Sequence, residues 1–186
     1  MFEDGDQDAR IVLFTAELLS KAGRKADAEV HLWRVFTKDP GLELYMRLRG
    51  FGGEVARERV VTFLEDRLAS RQRIRWHNPA DLLLRIWMHE KIYDAAWATV
   101  RKHGASMALK EELAGECEAT HPREALEVYA ERVDQLASTG GASAYEQAAK
   151  LVARMTRLRG KAEQVAYLLA LKERFARKRN FIRLLE

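Results

Sequence analysis

Between Lys21 and Pro40 the chain reads KAGRKADAEVHLWRVFTKDP, and this segment constrains the fold more than any other. Gly23 interrupts a run of helical periodicity, a second run starts soon after it with the small Ala28 near its beginning, and Asp39-Pro40 stops that run. Glycine tolerates the left-handed conformation that closes a helix, and proline cannot continue one. The segment therefore encodes two helices folded back on each other, with a small side chain where they meet. Such a pair cannot bury its apolar stripe alone, so neighbouring helices must stack on it.

These glycine, small-residue and proline offsets resemble the tetratricopeptide helical hairpin. The resemblance implies an all-α fold, a right-handed α-α superhelix of about four to five irregular hairpins, whose usual work is to bind other macromolecules. The rest of the sequence is compatible with that expectation. Residues 7–22 set Ile11, Phe14, Leu18 and Leu19 on one helical face, and residues 25–37 return with Ala28, Leu32, Val35 and Phe36. Asp39 reads as an N-cap and Pro40 as the first-turn residue of a short helix to about Arg49. Phe51-Gly52-Gly53 then predicts a loop, and a helix follows from Glu54 to Ser70.

Asn78-Pro79 opens a second hairpin, predicted over 79–89 and 92–103. Aligning Ala96 with Ala28, 68 positions apart, puts Lys91 in the slot of Gly23. A third hairpin is expected over 106–118 and 122–138, with Pro122 at a helix start and Ala125 in the small-residue slot. Ser143 and Glu146 read as a capping box for a helix over 143–158, and Gly160 separates it from a last helix, 161–177. Whether 178–185 continues that helix or bends off after Asn180 is open.

With 186 residues the expectation is a single helical repeat domain over 1–186, with a basic C-terminal helix at about 161–186. Alanine, leucine, arginine and glutamate dominate, prolines number three, and no period-two run of β-branched residues occurs. A lone cysteine, Cys117, excludes an intrachain disulfide and a thiolate zinc site. No apolar run approaches the ~20 residues of a membrane span, and the acidic start MFEDGDQDAR is unlike a signal peptide. A soluble, cytoplasmic protein is expected.

The run from Tyr167 to Leu185, YLLALKERFARKRNFIRLL, together with KAGR…HLWRVF…DPGLELY and HPREALEVY, is similar to the helical C-terminal region of bacterial SWIM zinc-finger proteins. The likeness extends over most of the chain. It implies a helical scaffold and no particular activity. The zinc element itself needs a CxC pair followed by CxH, which one cysteine cannot supply. No zinc ligand carries over, nor the DNA or protein binding proposed for that element.

Charge is unevenly spread. From Arg154 to Glu186 ten Lys/Arg face three Glu, a balance of +7 that leaves −3 for the rest of a chain whose total is +4. Arg174, Arg177, Lys178, Arg179 and Arg183, interleaved with Phe175 and Phe181, form a candidate nucleic-acid contact through phosphate neutralisation. The plainer reading has Phe175, Phe181, Leu184 and Leu185 capping the last repeat while the charges keep that cap soluble. Arg67, Arg71, Arg73 and Arg75, with Trp76 and His77, form a second basic cluster, which a helix end explains without a partner. Trp33, Trp87 and Trp97 lie within predicted helices and are read as packing residues.

The histidines His31, His77, His89, His103 and His121 form no metal-binding spacing, and no nucleophile–base signature, P-loop or dinucleotide fingerprint occurs. Glu112, Glu116 and Glu118 surround Cys117 in sequence and discourage its thiolate. The expectation is a non-enzyme without metal or cofactor. A protein or peptide partner would lie against the inner helices, around Phe14 to Lys21, Leu83 to His89 and Lys110 to Cys117, with Lys21, Arg85 and Lys110 as its contacts. Nucleic acid bound by the C-terminal segment, with Arg71, Arg73 and Arg75, is the alternative.

Overall fold

The structure is a computed structural model that describes residues 9–70 and 78–186. Among the described residues every regular element is a helix, so the chain is all-α. Two compact units divide it, Met1–Gly104 and Ala105–Glu186.

The first unit contains α1 (Ala9–Lys21), α2 (Lys25–Lys38), α3 (Leu42–Ala69), α4 (Pro79–His89) and α5 (Tyr93–His103), each packed on the next. Its core joins Val12 and Ala16 of α1 to Ala28, Leu32 and Phe36 of α2, Tyr45, Leu48, Val60 and Leu64 of α3, and Leu83 and Ile86 of α4. Full burial of a leucine or phenylalanine contributes roughly 1.5–3 kcal/mol, so these side chains supply the cohesion that a lone hairpin lacks. Trp33 stacks on Phe36 (5.9 Å between ring centroids) and meets Phe63 edge-on (5.6 Å), with the Arg59 guanidinium over its ring. Trp97 is buried and Trp87 packs against the core.

Two turns of this unit are built alike. Gly23 is left-handed (φ 77°), its N–H donates to Ser20 O (3.0 Å), and the next N–H, of Arg24, reaches back to Leu19 O (2.9 Å). Lys91 is also left-handed (φ 57°), donating to Met88 O (2.9 Å), while Ile92 N–H reaches Trp87 O (2.9 Å). Both have the two backward bonds of a Schellman helix ending. Ala28 and Ala96, five residues after each left-handed position, are completely buried.

The boundaries between these turns depart from the sequence expectation at two places. Asp39 does not begin a helix: it closes α2, donating its N–H to Val35 O (3.0 Å), and α3 begins at Leu42 after an extended Gly41. The expected loop at 51–53 is reduced to a kink, in which Gly53 alone leaves helical geometry (φ 56°, ψ −140°) and the helical run resumes beyond it. Asn78 caps α4 as expected, its Oδ1 accepting from Ala80 N–H (3.1 Å) ahead of Pro79.

The second unit contains α6 (Met107–Cys117), α7 (Pro122–Thr139), α8 (Ala142–Met155), α9 (Lys161–Arg174) and α10 (Arg179–Arg183). α6 packs on α7, α7 on α8, and α10 on α8. Ala125 is buried in its hairpin, as are Leu113, Tyr129, Val133 and Met155. The α6–α7 turn has no left-handed residue; instead Thr120 and His121 N–H both donate to Cys117 O (3.0 and 2.7 Å). The Ser143 capping box is absent: Gly141 is the N-cap of α8, and Ser143 lies inside the helix, accepting from Gln147 Nε2 (3.2 Å). α9 ends at Arg174, short of the expected 177, and the chain turns through 175–178 before α10, so it neither continues as one helix nor bends after Asn180. Phe181 holds α10 down, fully buried, stacked on Tyr145 (5.5 Å) with Phe175 edge-on (5.9 Å).

Candidate functional site

Polar clusters come first, because chemistry would need them. In the first unit Glu90, just past the end of α4, accepts from the Tyr45 hydroxyl (2.6 Å) and from Arg49 Nε (3.1 Å), with Arg57 4.0 Å away. Arg49 also pairs with Glu54. Burial opposes the Glu90 charge, but the Tyr45 and Arg49 hydrogen bonds and the charges of Arg49 and Arg57 outweigh it, and its carboxyl titrates below its ordinary 4.5. Burial and the bond to Glu90 push the Tyr45 hydroxyl up.

The second unit repeats this arrangement with different elements. Glu118, just past the end of α6, accepts from the Tyr129 hydroxyl (3.0 Å) and from Arg154 Nε (2.7 Å), and Arg154 lies over the Tyr129 ring. Here too burial is outweighed, by bonds from Arg154 and Tyr129, and the Glu118 carboxyl is lowered. The Tyr129 hydroxyl is pushed up to about 12, by burial first and then by its bond to Glu118. In both clusters a carboxylate that ends one helix is tied to a tyrosine and an arginine of neighbouring helices. Protonated tyrosines and arginine-neutralised carboxylates suit cross-linking of helices better than proton transfer at neutral pH.

Cys117, His121 and His89 are engaged as well, whereas the buried Nε2 of His31 has no hydrogen-bond partner among the described residues. Cys117 is buried, its Sγ donating to Leu113 O (3.0 Å). His121 meets the Thr120 hydroxyl (2.9 Å), and His89 lies edge-on to the Tyr45 ring (6.5 Å). Burial, then the charge of Arg34, lowers the pKa of His31. No group of three or more metal-capable side chains occurs among the described residues.

The sequence-predicted contacts divide. Lys21 is exposed at the end of α1. Arg85 is exposed on α4 and lines a cleft of about 350 Å³ with Pro40, Leu42, Asn78 and Asp81. Lys110 is instead tied down, its Nζ 2.9 Å from Glu131 with the side chain only 21% exposed. Of the segments proposed around them, 83–89 is largely core, with Leu83, Leu84, Ile86 and Met88 buried, and 110–117 buries Leu113, Ala114 and Cys117.

α1 differs. Val12 and Ala16 face the core, whereas Ile11, Phe14 and Leu18, at i, i+3 and i+7, are 57%, 61% and 50% exposed along another face. Helical spacing places these three together in the sequence; what it cannot tell is that they point away from the hairpin.

The basic clusters divide as well. Arg71, Arg73 and Arg75, with Trp76 and His77, lie outside the described residues. Arg67 uses its guanidinium on Thr37 O (3.2 Å) and the Phe63 ring. At the C-terminus Arg174 is paired with Asp134, and Lys178 donates to Ser138 O (3.4 Å). Arg177, Arg179 and Arg183 are exposed and pair with no carboxylate of the described residues. Arg183 lines a cleft of about 440 Å³ between the start of α8 and α10, with Tyr145, Glu146, Asn180 and Leu184.

No helix of the described residues is long and apolar enough to cross a membrane. Compared with known protein families, with curated proteins and with solved structures, the chain finds no match.

Proposed function

We propose that this chain is a non-enzymatic interaction scaffold, a right-handed superhelix of tetratricopeptide-like hairpins that holds a protein partner. The exposed face of α1 carries the reading: three large apolar side chains at i, i+3 and i+7, each at least half exposed, on a helix whose other face is buried. Anchors at this spacing are how a helix engages an apolar groove, and a phenylalanine exposed to 61% is the kind of side chain whose desolvation dominates an interface. Lys21, at the end of the same helix, adds a charge that orients an acidic rim. The matched Gly23 and Lys91 turns with their buried alanines support the repeat character. A cytoplasmic setting belongs to this proposal, in keeping with a single cysteine.

The test is the native mass of the complex recovered with the chain from cell lysate, as wild type and as Phe14→Asp, with and without nuclease. A protein partner that survives nuclease and is lost with Phe14→Asp, while the far-UV spectrum and melting of the variant stay unchanged, is the expected result. Recovery of nucleic acid alone, lost on nuclease treatment and unaffected by Phe14→Asp, would overturn it in favour of binding through Arg177 and Arg179.

A further inference from the structure

We infer that the cleft between the start of α8 and α10 recognises a short acidic peptide segment, with a carboxylate against Arg183 and an apolar side chain against Leu184 and Tyr145. The inference rests on the interaction reading above and gives the second unit a ligand class of its own.

The cleft is firmly built. Phe181, completely buried, anchors α10, and Tyr145 lies stacked on it at 5.5 Å. Packing of Phe181 on Tyr145 thus holds the α10 side of the cleft against α8. The space of about 440 Å³ admits a few side chains, not a folded domain.

Charge selects the occupant. Arg174 is neutralised by Asp134 and contributes little further attraction, whereas Lys178 donates only to the neutral Ser138 carbonyl (3.4 Å) and keeps its charge. Arg183 on the cleft wall, and Arg177 and Arg179 beside it in sequence, carry positive charge that no carboxylate of the described residues neutralises. A guanidinium presents a planar fork that matches a carboxylate in two parallel bonds. Leu184, next to Arg183 and 46% exposed on the same wall, asks for an apolar side chain adjacent to that carboxylate. Asn180 supplies an amide donor and acceptor of the kind an extended backbone uses.

The same wall disfavours a nucleic-acid strand. Its phosphates recur at every nucleotide and need a row of cations, whereas Glu146 stands within this cleft. A peptide can space its carboxylates around Glu146; a continuous phosphate chain cannot.

The experiment is fluorescence anisotropy of the full chain with three labelled probes: the hexapeptide Glu-Leu-Glu-Glu-Leu-Glu, the same peptide with alanine for leucine, and a dT20 oligonucleotide. The leucine peptide should bind saturably below ~1 mM, at least ~5-fold tighter than the alanine peptide, with dT20 weaker than either. Arg183→Glu should weaken the leucine peptide at least ~10-fold, Arg183→Gln less so, and Leu184→Asp should remove the preference for leucine over alanine. Glu146→Gln, which removes a repelling charge, should tighten it severalfold. No saturable binding by ~1 mM, equal affinity for both peptides, or indifference to Glu146→Gln overturns the inference. So does tighter binding of dT20 that is lost in Arg177→Glu/Arg179→Glu. The titration uses neither a cellular partner nor the α1 face, so its failure leaves the α1 reading standing and is told apart from a failure of that reading in the lysate experiment.

Discussion

Gly23 and Lys91 occupy the same position of the same helix-ending turn, 68 residues apart, one without a side chain and one with a long one. In both, the following N–H reaches back to a carbonyl at 2.9 Å, so the hydrogen bonds of the turn need the left-handed residue but not the glycine itself. The left-handed region costs a residue with a side chain roughly 1–2 kcal/mol, against roughly 0.5–1 kcal/mol of extra chain entropy for glycine. Lys91→Gly should therefore stabilise the chain by about 0.5–1 kcal/mol, seen as a higher midpoint in thermal denaturation by circular dichroism. A lower midpoint would mean that the Lys91 side chain makes compensating contacts.

Ala28, Ala96 and Ala125 are each completely buried within a helical hairpin. Ala96→Leu has no room to enter without moving a helix, and should cost about 1–3 kcal/mol. Urea denaturation of Ala96→Leu beside the exposed control Ala98→Leu separates the two positions. Equal midpoints would show that the slot is not tight.

Glu90 and Glu118 link the turns to neighbouring helices, and both titrate below their ordinary value in the folded chain. A carboxylate whose pKa is lowered by folding adds stability that is complete above its unfolded value and lost as pH falls through the folded one. Stability should thus be flat down to about 4.5 on account of these two groups and decline below it. In Glu90→Gln/Glu118→Gln that decline should be shallower, and stability at neutral pH lower by about 1–2 kcal/mol per site, because each tyrosine and arginine loses a charged acceptor. Denaturant midpoints from pH 3 to 7 would test this; parallel curves for wild type and variant would contradict it.

Phe181→Ala should cost about 3–5 kcal/mol, the usual range for truncating a buried aromatic ring, and should release α10 from Tyr145 and Phe175. Limited proteolysis should then cut at the Arg177-Lys178-Arg179 run much faster than in wild type. An unchanged cleavage rate would show that α10 is held by something other than Phe181.

The sequence made local punctuation legible. Gly23, Asn78-Pro79, Pro122 and Gly160 each separate or start helices within a residue or two of where they were expected, because caps and breakers act over a single turn. Lys91 was found only by alignment with the first hairpin, since nothing in lysine itself signals a left-handed turn. Ser143 misled: serine is a good N-cap, but the Gly140-Gly141 pair, both left-handed (φ 79° and 93°), already turns the chain two residues earlier. Arg174 and Lys110 looked like free surface cations, and their partners Asp134 and Glu131 lie 40 and 21 positions away.

By itself the sequence determined that this chain is helical, where many of its helices break, and that the small Ala28, Ala96 and Ala125 are buried within their hairpins. Those properties follow from backbone conformation and side-chain size within a few residues of each other. Only the tertiary structure decided which apolar face stays open and which charges remain unspent. Ile11, Phe14 and Leu18 carry the same periodicity as any core stripe, and Arg183 the same charge as Arg174. What separates them is whether another helix lies against them: burial and ion pairing depend on neighbours distant in the chain, and local sequence carries no record of them.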